Sequence, residues 1–170
     1  MRFLITAALT ALAAGPAAAG EASISIEIPR LAVSEYHKPY VAFWVETADG
    51  SKATTLAVWY DAKQRDNEGN KYLKDIRQWW RRVGRELTLP ADGLSSPTRG
   101  PGTHQIVFDA SAKPLGELPP GSYQLVVEAA REVGGRELLR VPFQWPPQAP
   151  LSADVKGSDE ITAVTLKLTP

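Results

Sequence analysis

The sequence predicts a mainly β protein, an antiparallel β-sandwich carrying one short amphipathic helix. Three observations point there: apolar residues recur with period two along most of the chain, Gly- and Pro-containing turns separate the runs, and a single stretch switches to helical period. The first run is Ile24, Ile26 and Ile28, alternating with Ser23, Ser25 and Glu27. In the second, Val41, Phe43 and Val45 alternate with a face that carries Ala42 and Trp44, and Leu56, Val58 and Tyr60 make a third. Both faces of this pair are apolar enough to be covered. Asp49-Gly50-Ser51 between them is a short polar turn, so the two read as a hairpin. Further strands are expected at 86–89, 105–108, 123–130, 137–145 and 161–168. The segment 146–150, with prolines at 146, 147 and 150, carries the chain around the domain before a last strand. In the helical stretch Leu73, Ile76, Trp80 and Val83 recur at i, i+3, i+7 and i+10, and Gly84 is placed to close it.

Composition bounds what such a domain can do. Nineteen Lys and Arg balance 19 Asp and Glu, which leaves no electrostatic footprint for nucleic acid or anionic lipid. The absence of cysteine excludes disulfides, thiolate metal sites, iron–sulfur clusters and thiol nucleophiles. A content of 44% hydrophobic residues with 14 Pro and 13 Gly is that of a loop-rich globular chain.

The first nineteen residues read as a cleavable signal peptide. Met1-Arg2 begins positively, an apolar stretch follows from Phe3 to Leu12, and Ala17-Ala18-Ala19 supplies the small residues a signal peptidase accepts. The run is too short to span a bilayer and Gly15-Pro16 interrupts it. A periplasmic product without membrane insertion is expected, with residues 20–170 as one sandwich domain of about 150 residues.

Catalytic patterns are weak. There is no G-x-S-x-G and no H-E-x-x-H, and Asp61, Asp66, Asp75 and Asp92 show no spacing that forces two carboxylates together. The sequence points to a carrier or binding accessory rather than an independent enzyme. His37 and His104 are the 2 histidines. With Tyr36, Asp61, Asp109 or Glu128 they offer O and N ligands for Fe³⁺ or Cu²⁺, and no spacing supports such a site. His37 also reads as a strand-entry residue bonded to backbone, and His104 as an exposed residue beginning a strand. Of the 5 tryptophans, Trp44, Trp59 and Trp145 are expected in the core. Trp79 falls off the helix's apolar stripe and is a candidate partner contact together with Arg77, Arg81 and Arg82. Those arginines, with Lys71 and Lys74, form either a solvated basic surface or a docking face for an acidic partner.

The segments YHKPYVAFWVE (36–46), TLAVWYD (55–61), YLKDIRQWWRR (72–82), DGLSSPTRGPG (92–102) and PPGSYQLVVEAAREVGG (119–135) resemble the exported bacterial family catalogued as domain of unknown function 2271. That family is similar in turn to the immunoglobulin-like part of flagellar hook-capping proteins, through a Pro/Gly turn before a tyrosine and a strand, here Pro120-Gly121-Ser122-Tyr123. The resemblance implies an immunoglobulin-like sandwich. It also implies a cofactor, because members often carry a D-G-x-S-G-A-T loop similar to the acceptor of periplasmic flavin transferases, which join FMN to a Thr hydroxyl through a phosphoester. Their genes tend to accompany PepSY-type membrane proteins thought to move electrons for iron uptake. Carried across, the loop is Asp92, Gly93, Leu94, Ser95, Ser96, Pro97 and Thr98, with Thr98 as the acceptor and Arg99 a cation beside it. Ser96 stands where Gly would permit a positive φ, and Pro97 stands where Ala is usual. The resemblance thus implies covalent FMN, a flavin transferase and a PepSY-type reductase as partners, and a redox or iron-uptake role. A binding module that contacts a protein or a metal chelate without redox chemistry is the other class.

Overall fold

Strands form where alternate side chains find a core. In the computed structural model, which describes residues 20–63 and 68–170, β1 (Glu21–Ile28) buries Ala22, Ile24, Ile26 and Ile28. The leader expected at 1–19 and Asp66 lie outside the described residues. β2 (Tyr40–Thr47) and β3 (Ala53–Trp59) form the expected antiparallel hairpin. Its turn closes on Asp49, whose Oδ1 accepts from Thr47 Oγ1 at 2.6 Å and from Ser51 N at 3.0 Å, while Gly50 takes the left-handed φ of 70°. β4 (Ser95–Ser96), β5 (Gly102–Asp109), β6 (Gly121–Ala130), β7 (Arg136–Trp145), β8 (Leu151–Lys156) and β9 (Ala163–Thr169) complete the strands.

They pack as two sheets, one in the order β5-β1-β9-β8 and the other β4-β3-β2-β6-β7. The pairings are antiparallel except for the two-residue contact of β4, which runs parallel to β3. Between the sheets lies the main core. Ile24, Ile26, Val164, Leu166 and Leu168 come from the first sheet, and Val41, Phe43, Trp59, Leu125, Val127, Val141 and Trp145 from the second. A register shift in the β2–β3 ladder at Phe43/Trp44 lets neighbouring Leu56 and Ala57 both reach this core.

The second sheet is covered on its other face as well, as the sequence of β2 requires. Ala42, Trp44, Val58, Tyr60 and Val126 meet a cover made of short helical pieces: α1 (Glu68–Lys71), a 3-10 turn (Leu73–Asp75), α2 (Arg77–Arg82) and a 3-10 turn (Gly84–Glu86). Leu73, Ile76 and Trp79 are the residues it buries. Trp80 and Val83, expected on the apolar stripe, are half-buried at its margin. Trp79 is fully buried, contrary to the sequence expectation of an exposed partner contact. The 3-10 turn at 73–75 breaks helical phase, so the stripe restarts on Trp79 instead of continuing to Trp80. Burial of such an indole contributes on the order of 2–3 kcal/mol, and its Nε1 donates to Thr55 Oγ1 at 3.0 Å. Gly84 does not close one continuous helix. It lies under the Trp79 ring, where a Cβ would approach indole carbons to 2.7 Å.

Two side chains fasten this cover to the sheet. Glu128, wholly buried on β6, accepts from Gln78 N and Trp79 N, each at 2.9 Å through Oε2, and from Arg136 Nη1 at 2.7 Å. Glu46 on β2 faces Arg82 at 3.5 Å and Arg140 at 3.4 Å, and Arg82 Nη2 also donates to Gly50 O.

Two strand expectations fail. Residues 86–89 are not a strand: Glu86 N and Leu87 N bond back to Val83 O and Gly84 O, and Leu87 and Leu89 lie on the sheet's face instead of in its ladder. The proline segment at 146–150 leads into β8 rather than directly to the last strand. Trp44, Trp59 and Trp145 are buried as expected.

Candidate functional site

Loop 91–100 is shaped by local hydrogen bonds before it meets anything else. Ala91 O accepts from Leu94 N at 3.2 Å and Ser95 N at 3.0 Å, and Ala91 N donates to Ser95 Oγ at 3.1 Å. Gly93 supplies the positive φ of 76° that this turn needs, with no atom near its would-be Cβ. The chain then straightens. Val58 N donates to Leu94 O at 2.7 Å and Tyr60 N to Ser96 O at 2.9 Å, so Ser95 and Ser96 lie along β3. Ser96 is therefore extended and needs no positive φ. Asp92, Gly93 and Pro97 are exposed, and Thr98 is half-buried.

Beyond β3, Thr98 faces a pocket of ≈ 330 Å³, within the size range of small-ligand sites. Its walls combine Tyr36, Tyr40 and Tyr72 with Asp61, Asp75 and Glu132. They come from four stretches: Tyr36 to Tyr40 enter β2, Asp61 leaves β3, Tyr72 and Asp75 belong to the helical cover, and Glu132 sits in the β6–β7 turn. Gly69 permits the close approach of α1, because a Cβ there would fall 1.9 Å from Asp61 O. Burial is the first cause that raises the Tyr36 and Tyr40 hydroxyls above their usual range; at Tyr40 a backbone hydrogen bond with Asp61 opposes it, while the charges of Asp61 and Glu132 add to it. Both phenols remain protonated at neutral pH.

One end of the pocket is held by a buried ion pair. Arg131 Nε and Nη2 donate to Glu160 at 2.9 and 3.0 Å, with both side chains almost fully covered. Glu160 also accepts from Gly135 N at 2.8 Å. The guanidinium carbon lies 5.9 Å from the centre of the Tyr36 ring. Among the described residues, the buried Tyr36 hydroxyl and Arg131 Nη1 meet no hydrogen-bond partner.

Residues expected to act together separate into distinct settings. His37 lines the pocket, bonded not to backbone but to carboxylates, Glu35 at 2.9 Å and Glu132 at 3.5 Å. It shares the pocket with Tyr36 and Asp61. His104 is half-buried in β5 rather than exposed, with Nε2 2.7 Å from Gly100 O and its ring edge-on to Trp59. Glu128 is consumed by the helical cover and Asp109 by Ser111. Among the described residues no group of three or more His, Asp or Glu converges as a metal site. Arg99 packs over Trp59 at 5.3 Å, whereas Lys38 lines the pocket together with Thr98. Arg77 and Arg81 are exposed on α2, whereas Arg82 is tied to Glu46.

Sequence reasoning missed Tyr40, Tyr72, Asp75 and Arg131 as neighbours of Thr98. Nothing in the spacing of these residues along the chain signals a shared cavity. No helix among the described residues is long and apolar enough to cross a membrane. No curated protein and no solved structure matches the chain. A family model described as a predicted periplasmic protein, domain of unknown function 2271, matches residues 21–163, so the chain belongs to that family.

Proposed function

We propose that this member of the predicted periplasmic family is an accessory protein of a membrane-associated redox or iron-uptake system, and that it carries FMN joined to Thr98 through a phosphoester. The observation that carries the reading is the position of Thr98: the acceptor-like residue of the loop lines the same pocket as Tyr36, Tyr40 and Tyr72. The residues suit a flavin on three counts. Tyrosine faces offer stacking surface for a planar ring. The buried Tyr36 hydroxyl and Arg131 Nη1 lack partners among the described residues, and a ring acceptor that reached them would satisfy both. Lys38, in the same pocket lining as Thr98, offers a cation for the negative charge of a phosphoester.

Bound there, the flavin supplies electron transfer, and the protein's task is to bind, orient and shield it. Tyr36 and Tyr40 hold their phenolic protons and act as donors. The partners of this reading are a periplasmic flavin transferase, which installs the group, and a PepSY-type membrane reductase, which exchanges electrons with it.

A second reading is favoured by the hydrogen bonds that strap Leu94 and Ser96 to β3. A transferase must draw the loop away from that edge, with Pro97 restricting how it bends. On this reading the immunoglobulin-like sandwich is a non-redox binding module, and the pocket receives a protein side chain or a metal chelate. One experiment separates the two. The chain is expressed with its leader beside a competent flavin transferase, together with a Thr98→Ala variant. An FMN-sized mass increment with flavin absorbance, lost in the variant, establishes the carrier; an unmodified, colourless product leaves the binding module.

A further inference from the structure

The chain is neutral as a whole, yet its charge is not evenly spread. On the outer side of the five-stranded sheet the helical cover exposes Lys74, Arg77, Arg81, Arg82 and Arg85. β7 adds Arg136 and Arg140, which point to the same side because their neighbour Leu138 packs into the cluster beneath the cover. Of the carboxylates on this side, Glu46 and Glu128 are buried and already shared among Arg82, Arg136 and Arg140, while Asp75 and Glu86 are exposed on the cover and form no ion pair among the described residues. Arg77 and Arg81 have no carboxylate partner among the described residues. They stand one turn apart on α2, a spacing at which like charges destabilise a helix, and among the described residues Arg81 donates to Gln78 Oε1 and Arg77 O.

We infer that this face is a docking surface for an acidic segment of a protein partner. Two features select a protein over a lipid surface. The guanidinium groups of Arg82, Arg136 and Arg140 are held in place by buried carboxylates, which gives a fixed constellation of forks suited to carboxylates at defined positions. A membrane-lying surface also needs apolar side chains to insert. Among the described residues the exposed large hydrophobics are Val33, Tyr72, Val107 and Val133, and Tyr72 alone belongs to the helical cover. The face adjoins the pocket, because Tyr72 and Asp75 line that cavity and Arg77 follows two residues later. A partner seated on the arginines therefore stands at the rim beside Thr98. The inference rests on the fold and its charges and does not require the flavin.

The test uses a synthetic decaglutamate peptide, titrated into isotopically labelled protein at about 20 mM and about 200 mM salt. Amide shifts confined to 74–85 and 136–140, with at least tenfold weaker binding at the higher salt, are expected. Arg77→Glu/Arg81→Glu, two exposed positions outside the buried network, removes the response. Lys156→Glu/Lys167→Glu, on the other sheet, leaves it unchanged, and Thr98→Ala retains it whether or not the flavin reading survives. Failure to bind, shifts spread over both sheets, or equal loss in the Lys156/Lys167 control overturns the inference. Binding to phosphatidylglycerol vesicles without binding to the peptide overturns it in favour of lipid.

Discussion

Glu128 is the point at which one side chain decides whether the helical cover stays on the sheet. It is 0% exposed, and its Oε2 accepts the backbone N–H groups of Gln78 and Trp79 while Oε1 receives Arg136. Glu128→Gln keeps the shape but can present an acceptor on one side only. Its carbonyl keeps the two backbone donors, and its amide then opposes Arg136. Because Arg136 is 40% exposed, it turns to water and the loss is that of one charge-assisted hydrogen bond, about 2 kcal/mol. Glu128→Ala strands Trp79 N in a dry site and removes the anchor altogether, for about 3–5 kcal/mol. At about 2–4 °C per kcal/mol for a domain of this size, the two variants melt about 6 and about 12 °C lower. Urea unfolding followed by tryptophan fluorescence gives the energies, with the slope unchanged from the parent. A Glu128→Gln midpoint within about 0.5 kcal/mol of the parent refutes the argument, as does a negligible coupling energy to Arg136 in a double-mutant cycle.

Other sites give independent expectations. Gly84→Ala drives a methyl group into the Trp79 ring and lowers stability by about 1–3 kcal/mol, read from the urea midpoint; an unchanged midpoint means the indole has room to move. Glu160→Ala leaves Arg131 charged and covered and costs about 3–5 kcal/mol, whereas Arg131→Met/Glu160→Leu restores most of it. Equal losses in the two variants contradict that account. Hydrogen bonds from the Thr47 hydroxyl first, and then from Ser51, hold the Asp49 carboxyl at about 2. Its folded value lies below its unfolded one, so the support it gives the hairpin is complete above about pH 4 and is lost as the pH falls towards 2. A carboxyl carbon titration by NMR with its midpoint near the ordinary aspartate value of 3.8 removes this claim.

A similar device joins the two sheets at the end where the pocket lies. Burial acts most strongly on Glu137 and works to raise its pKa. Hydrogen bonds from Ile161, Ser158 and Asp159 more than offset it, and the carboxyl titrates below its ordinary range. Together with Arg131 and Glu160, this ties the β6–β7 and β8–β9 regions to one another. The Thr98 pocket thus rests against a braced end of the sandwich.

The sequence alone determined the sandwich, because burial of alternate side chains is a local rule that Ile24-Ile26-Ile28 and Val41-Phe43-Val45 obey without reference to the rest of the chain. It also determined that β2 is covered on both faces, since Ala42 and Trp44 are apolar where β1 carries Ser25 and Glu27. The helix phase was only partly legible. A 3-10 turn shifted the buried stripe to Trp79, and what stabilises that shift is Thr55 and Glu128, distant in the chain. β4 was invisible because two residues carry no period, and β8 because its alternation, Leu151, Ala153 and Val155, is weakly apolar and follows prolines. Thr98 could be named from a local motif. Its neighbours Tyr36, Tyr40, Asp61, Tyr72 and Arg131 could not, for they meet only when strand ends, the helical cover and the β6–β7 turn converge in space, and no one-dimensional spacing encodes that convergence.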